Sequence, residues 1–217
     1  MSSEHEPASD RVQLRRGVHR GSHDPVVIRE ILAAGMVAHV GVSTDDGPIV
    51  LPMAYGIDED TIYVHGASAN ALLRSARSHE ICITVTLLDG LVFARTPFHN
   101  SMDYRCVVVR GAARVVDDPT ERVDALRLIT DHVVDNWSAG RPPSDLDLRK
   151  TLVIALPLAE ASAKIREGGP VDEPEDLDGP HWGGHVPLVT SWGIPIDSVD
   201  LRVGIEPPAT ITAVFGK

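Results

Sequence analysis

Apolar and polar residues alternate over 36–43, 49–57 and 61–65, a period of two that predicts strands. Asp46-Gly47 and then Asp58-Glu59-Asp60 mark turns between them, so the first two runs read as a hairpin. A different spacing precedes them. Val27, Ile28, Ile31 and Leu32 share one stripe behind Asp24 and Pro25, which suit a cap and a first-turn proline, and Gly35 stops it; this predicts a helix over Pro25–Ala34. Beyond Gly66, Ser68 is placed to cap a short helix over 69–77. The β-branched runs 80–88 and 91–96 are separated by Asp89-Gly90, which reads either as a tight turn or as a bulge in one long strand. Residues 103–116 form another such run. Asp118-Pro119-Thr120-Glu121 then opens an amphipathic helix with Val123, Leu126, Ile129, Val133 and Val134 on its apolar side, ending near Trp137. Leu152, Ile154 and Leu156 alternate within 148–164, a further strand.

The ends have a different texture. Residues 1–22 are polar and predict a flexible arm, disordered at least to Ser9, although the basic piece from Arg11 to Arg20 can fold over a partner. An acidic linker, 171–178, leads into a Gly- and Pro-rich tail from His181 that is expected to wrap the barrel as short strands and loops, leaving 23–217 as one domain. Six or so strands, hairpin-linked early and interrupted by short helices, predict a mainly β, α+β fold: an antiparallel barrel with helices outside. A doubly wound sheet needs regular strand-helix alternation and a GxGxxG turn, and the chain has neither.

Composition narrows the partners. With 217 residues the chain can bury about 70% of its unfolded surface, and 43% apolar against 24% charged residues is ordinary for a folded domain. A net charge of −11, from 31 acids against 20 Lys and Arg, argues against nucleic acid or an anionic membrane as partner. It leaves room for one small phosphorylated ligand held by local Arg and backbone N–H groups. Cys82 and Cys106 each sit in an apolar run and read as buried, reduced thiols. Nothing directs export or insertion, so a cytoplasmic location is expected.

Four segments carry candidate chemistry. Pro52 interrupts a strand beside Met53, Ala54 and Tyr55, which reads either as an ordinary edge strand or as a backbone edge left open to a flat ligand. His65, Gly66, Ala67, Ser68 and Asn70, with Arg74 one turn on, read either as a plain capped helix or as an anion cradle. The polar stretch with His99, Ser101, Tyr104 and Arg105 lies between apolar runs and reads as a solvated loop or as the surroundings of a planar heteroaromatic with a phosphate tail. Trp182, between two histidines, either stacks on a ring or fills a gap. The ten histidines show no HExxH pattern and no Cys partner, so no dedicated metal site is expected, and no GxSxG elbow points to a hydrolase.

Taken in order, Met36-Val37-Ala38-His39-Val40, Leu51-Pro52-Met53-Ala54-Tyr55, Tyr63-Val64-His65-Gly66-Ala67, residues 84–92, residues 98–105 and residues 182–188 resemble the pyridoxamine 5′-phosphate oxidase-related family of FMN-binding split-barrel proteins, in particular its flavin-nucleotide-binding branch. The resemblance spans roughly 14–190. It implies a six-stranded split barrel that forms a homodimer with FMN in clefts at the subunit interface. It also implies that Met53 to Tyr55 face the isoalloxazine, that His65 to Ser68 with Asn70 and Arg74 lie near the ribityl phosphate, and that the 99–105 stretch and Trp182 approach the flavin. Where many relatives carry a Gly-Arg-Lys type sequence, this chain reads Asn70-Ala71-Leu72, which leaves the phosphate to Arg74 or Arg105. A basic substrate-phosphate site near the C-terminus is missing, with only Arg202 and Lys217 beyond Trp182, so vitamin B6 oxidation is not expected.

The function expected is that of an FMN-dependent oxidoreductase passing hydride from NAD(P)H to a small electron-poor acceptor such as a nitroaromatic or quinone, with no catalytic side chain required. The alternative is a flavin store or sensor, or a relative that has taken up haem, with His65 or His99 as ligand, or a deazaflavin.

Overall fold

The computed structural model describes residues 6–214. Its frame is built by two stretches of backbone that change sheets in mid-course. Strand β1 (Gly21–Ser22) and helix α1 (Pro25–Ala34) are followed by β2 (Ala38–Thr44) and β3 (Gly47–Met53), and after Ala54 the chain continues as β4 (Tyr55–Ile57) in a different sheet. β5 (Thr61–Ala67), α2 (Ala71–Ser75) and the long β6 (Glu80–Phe93) follow. β7 (Ser101–Ala112) then crosses sheets at Ala113 into β8 (Arg114–Val115). The remaining elements are α3 (Pro119–Val133), α4 (Asp145–Lys150), β9 (Thr151–Pro157), β10 (Ala161–Arg166), β11 (Gly184–Pro187) and α5 (Ala209–Thr212). One sheet runs β1-β10-β7-β6-β2-β3 with β11 added on β6; the other runs β4-β5-β9-β8. Every pairing between described strands is antiparallel. The fold is thus the mainly antiparallel α+β barrel expected, with more strand segments than six because two long strands divide at the corners and the short β1 and β11 add to the edges.

The core lies between the sheets. Val40, Val42, Ile81, Ile83, Val85, Val107 and Val109 alternate inward from the larger sheet to meet Ile62, Val64, Ile154 and Leu156 of the smaller one. Helix α1 plugs one end with Ile28, Ile31 and Leu32, and α2 contributes Leu72 and Leu73. Each such side chain, when fully buried, contributes about 1.5–3 kcal/mol. α1 begins and ends as its sequence dictates: the Asp24 carboxylate accepts from Val26 N at 2.8 Å, with Pro25 at the first position. Its last turn leaves carbonyls without helical partners. One of these, Leu32 O, accepts from the Tyr55 hydroxyl at 2.5 Å.

Helix α3, capped by Asp118 on Glu121 N at 2.8 Å, covers the outer face of the smaller sheet, where Ala125 and Ile129 pack on Tyr63, Val153 and Ala155. The approach requires Gly56: a Cβ there would stand 2.6 Å from Ile129 N. The outer face of the larger sheet is different. His39, Gly41, Val50, Cys82, Thr84, Cys106, Val108 and Ser162 share that side by register, and the helices that touch this sheet, α1 and α2, pack on its inner side.

Several expectations are corrected. Residues 148–164 are the end of α4 and two strands, because Pro157 and the turn Leu158–Glu160 break the run. The short helix is capped by Asn70 and not Ser68, with Asn70 Oδ1 accepting from Leu73 N at 3.2 Å, and spans only Ala71–Ser75. Of the two readings of Asp89-Gly90, the bulge inside one long strand is the one observed. The arm is not loose throughout: residues 1–5 lie outside the described residues, but Ser9 donates to Glu160 at 2.7 Å, Val12 is buried, and Arg11 pairs with Glu80 at 2.6 Å. Cys82 and Cys106 are free thiols, half-buried on the outer sheet face and not in the core, and burial pushes the Cys106 thiol above its usual range. The tail does not wrap its own barrel between Leu188 and Glu206, where only Pro195 is even half-buried.

Candidate functional site

β3 ends the larger sheet, so one side of its backbone has no strand partner, and Pro52 and Met53 lie at its end. α2 packs against β2 and β3, which brings the 66–74 segment beside that edge. In this segment Ala67, Ser68 and Ala69 are exposed. Two of its amides are used internally, Ser68 N on Lys150 O and Asn70 N on Ala67 O, both at 2.8 Å. The N–H groups of Ala69, Ala71 and Leu72 have no acceptor among the described residues. Arg74 is exposed, and no carboxylate among the described residues pairs with it. Open main chain, unpaired amides and one unpaired guanidinium together suit a flat ring with an anionic tail.

Two residues expected here are turned elsewhere. Tyr55 is fully buried with its ring 4.4 Å from that of His132, so its side chain belongs to the core; burial pushes its phenol above the usual value. His65 alternates with Gly66 along β5 and so takes the opposite face. Gly66 faces Leu73 and Asn70 of α2, whereas His65 shares the face of Tyr63, under α3. The His65 side chain therefore stands apart from the Arg74 cradle. Its Nδ1 is buried without a hydrogen-bond partner, and burial lowers its pKa, which favours the neutral imidazole.

The remaining candidates gather at the far end of the β6–β7 ribbon. His99 lies edge-on to Phe98, centroids 5.4 Å apart, with Nε2 3.8 Å from Glu173. Ser101 is exposed and Tyr104 half-buried. Trp182 stands 5.9 Å from Phe93, its ring folded over Gly184, where a Cβ would meet it at 2.6 Å. Arg105 holds Asp89 through Nε at 2.9 Å and Nη2 at 2.7 Å, so its charge is already matched and the expectation that it serves a phosphate is revised. No hydrogen bond or ion pair among the described residues connects this group with the β3–α2 group.

Sequence reasoning missed a cluster beside Arg105. Arg166, 6% exposed, ion-pairs with Asp103 and also donates to Gly168 O at 2.6 Å and Gly169 O at 3.0 Å. His185 Nδ1 lies 3.2 Å from the other Asp103 oxygen. These residues, with Asp89, Arg105, Ile165 and Pro187, line a groove of about 660 Å³. The partners are 63 and 82 residues apart in sequence, and no local pattern joins them.

A family model described as pyridoxamine 5′-phosphate oxidase matches residues 24–165, more than half of the chain. The chain belongs to that family. Solved structures share much of its frame. It is similar to the flavocytochrome Anf3 from Azotobacter vinelandii, with 32% identity and a TM-score of 0.92 over 98% of this chain and 100% of that one. It is also similar to the FAD and heme binding protein from Mycobacterium smegmatis, with 29% identity and a TM-score of 0.85 over 91% and 98%. A protein named for 5-nitroimidazole antibiotic resistance, from Bacteroides thetaiotaomicron, aligns at 26% identity and a TM-score of 0.56 over 67% and 86%. No protein of curated function matches. Among the described residues no helix is long and apolar enough to cross a membrane.

Proposed function

We propose that this member of the family is a flavin-binding redox protein that also holds a haem. The observation that carries the reading is the near-complete alignment, at 32% identity, with a flavocytochrome, joined to a second near-full-length relative named for FAD and haem. The residues of this chain suit both groups. The open β3 edge at Pro52 and Met53, the Ala67–Ala69 loop, the Asn70-capped turn and Arg74 are the flavin side. The partner copy of a homodimer would add the ribbon end with His99, Ser101, Tyr104 and Trp182, which cannot join the β3 edge of its own chain through any contact described above.

Between the two flavin nucleotides, the near-full-length relative named for FAD and haem favours FAD over the FMN expected from sequence. Of the two arginines expected at the phosphate, Arg105 is bound to Asp89, and no carboxylate among the described residues pairs with Arg74. For haem, His65 is the ligand proposed: a neutral imidazole with an unpartnered ring nitrogen is the form that binds iron. His99 is the poorer choice, since Phe98 and Glu173 already occupy its surroundings.

Bound flavin supplies hydride chemistry and bound haem single-electron chemistry; the chain binds and orients them. We take NAD(P)H as donor and a small electron-poor acceptor as the substrate class, a nitroaromatic being favoured by the relative named for 5-nitroimidazole resistance. Pyridoxamine phosphate oxidation is not proposed. The absorption spectrum of the purified protein tests the cofactors: a flavin band and a Soret band are expected, and mass analysis of the released nucleotide separates FAD from FMN. His65→Ala should abolish the Soret band and leave the flavin band in place. A colourless protein that takes up neither group would overturn the reading, and anaerobic NAD(P)H that fails to bleach the flavin would overturn the donor.

A further inference from the structure

The segment from Leu188 to Glu206 has the pattern of a buried strand and none of its burial. Trp192, Ile194 and Ile196 alternate with Gly193, Pro195 and Asp197, and from a turn at 199–200 a second run, Val199, Leu201, Val203 and Ile205, repeats the period of two out of register with the first. Within each run such spacing collects the apolar side chains on one side of an extended chain. Yet Val189 is 85%, Ile194 87%, Ile196 94% and Val203 105% exposed. The last bond to the body is Leu188 N on Asp89 O at 2.8 Å. Among the described residues no hydrogen bond or ion pair ties 189–206 to anything outside itself. An apolar stripe of this size left in water marks an interaction surface.

We infer that this segment is an exchanged arm, which leaves one protomer and packs its apolar face along a second copy of the same chain. This rests on the paired-barrel reading above and goes beyond it. Three observations select a second copy as occupant. First, the exit is aimed at the uncovered sheet. β11 runs antiparallel to β6 from Phe93 back to Gly90, so the chain beyond Pro187 heads toward the part of β6 that pairs with β2, at the rim of the outer face that no helix among the described residues covers. Second, that rim offers matching surface, with Met36, Val37 and Val50 between 40% and 60% exposed. Third, an unsupported tail has no reason to keep one path, yet 98% of this chain superposes on the whole of the flavocytochrome at a TM-score of 0.92. Reach is sufficient, since residues 189–198, before the first turn, span roughly 33 Å when extended. An anionic lipid surface is a poor rival, because Asp197, Asp200 and Glu206 interleave the stripe in a chain of charge −11.

Arg202 makes the arm testable, because trypsin cleavage there releases a fragment beginning at Val203 that mass spectrometry reads. The full-length protein, carrying whatever cofactor it purifies with, is digested at concentrations where sedimentation shows dimer and where it shows monomer; a synthetic peptide of residues 188–217 gives the unprotected rate. At least tenfold protection in the dimer, lost on dilution to monomer, is expected. The double substitution I194D and I196D should abolish protection and weaken dimerisation while leaving the thermal unfolding of the monomer unchanged, since neither side chain is covered by its own chain. Cleavage at the peptide rate within a dimer would overturn the arm and spare the paired barrels. Protection that persists in the monomer would place the arm on its own barrel and overturn the exchange. A protein monomeric at every concentration would remove the paired reading as well.

Discussion

Two ion pairs at the base of the β6–β7 ribbon have similar chemistry and very different surroundings, which makes them an internal experiment on burial. In Arg166–Asp103 the side chains are 6% and 10% exposed; in Arg105–Asp89 they are 39% and 35% exposed. Asp103→Ala leaves a buried guanidinium without its counter-charge, a change that costs about 3–5 kcal/mol. Arg166 keeps Gly168 O and Gly169 O as acceptors, which places the loss at the lower end, about 3 kcal/mol. Asp89→Ala breaks a pair that water and salt already screen, and should cost about 0.2–1 kcal/mol. For a urea slope of about 2–3 kcal/mol/M, the midpoint should fall by about 1–1.5 M for Asp103→Ala and by less than about 0.5 M for Asp89→Ala. Urea melts followed by far-UV circular dichroism, on protein stripped of cofactor so that ligand binding does not shift the midpoint, give both values. Asp103→Leu combined with Arg166→Met removes both charges and should recover most of the loss. Equal shifts for the two single variants, or a double variant no better than Asp103→Ala, would refute the argument from burial.

Other outcomes follow from the same geometry. Arg74→Ala should weaken flavin binding at least tenfold, about 1.4 kcal/mol, whereas Arg105→Ala should change it less than threefold because that side chain serves Asp89; a fluorescence titration of the apoprotein decides, and the reverse order would move the anionic tail of the flavin. Tyr55→Phe strands the Leu32 carbonyl in the core and should cost about 1–3 kcal/mol, read as a lower urea midpoint without loss of helix signal. His65 also sets a pH dependence. Its folded pKa lies below the ordinary 6.5, so as pH falls through 6.5 the unfolded chain gains the proton first and stability declines toward the lowered folded value. In protein stripped of cofactor, His65→Leu should flatten the acid limb of the stability curve just below pH 6.5, and an unchanged slope there would contradict the buried neutral ring.

The fold was legible wherever one local rule decided it. Asp24-Pro25 and Asp118-Pro119 open helices at the positions their chemistry dictates, because caps act within a single turn. Alternation likewise marked the strands. It could not tell that Tyr55, next to the open end of β3, would turn into the core, because that depends on the corner at Ala54 and on a carbonyl of α1. His65 was noticed for its neighbours in sequence, yet period two separates it from Gly66 and Asn70 and hands it to the α3 side. Arg105 looked free because its partner, Asp89, is 16 residues away across the ribbon. The Asp103, Arg166 and His185 group left no trace along the chain, since only the meeting of β7, β10 and β11 assembles it.

The register of the two sheets also fixes when the chain can complete its fold during synthesis. β5 waits for β9, with Thr61 opposite Pro157, and β1 waits for β10, with Gly21 opposite Lys164. A nascent chain that has emerged only as far as α3 holds the β2-β3 hairpin and the β6–β7 ribbon, but both sheets still show raw edges to other polypeptides. Closure comes late and joins residues distant in sequence, which predicts slow maturation, in milliseconds to seconds, and a need for shelter on the ribosome until residue 166 is clear.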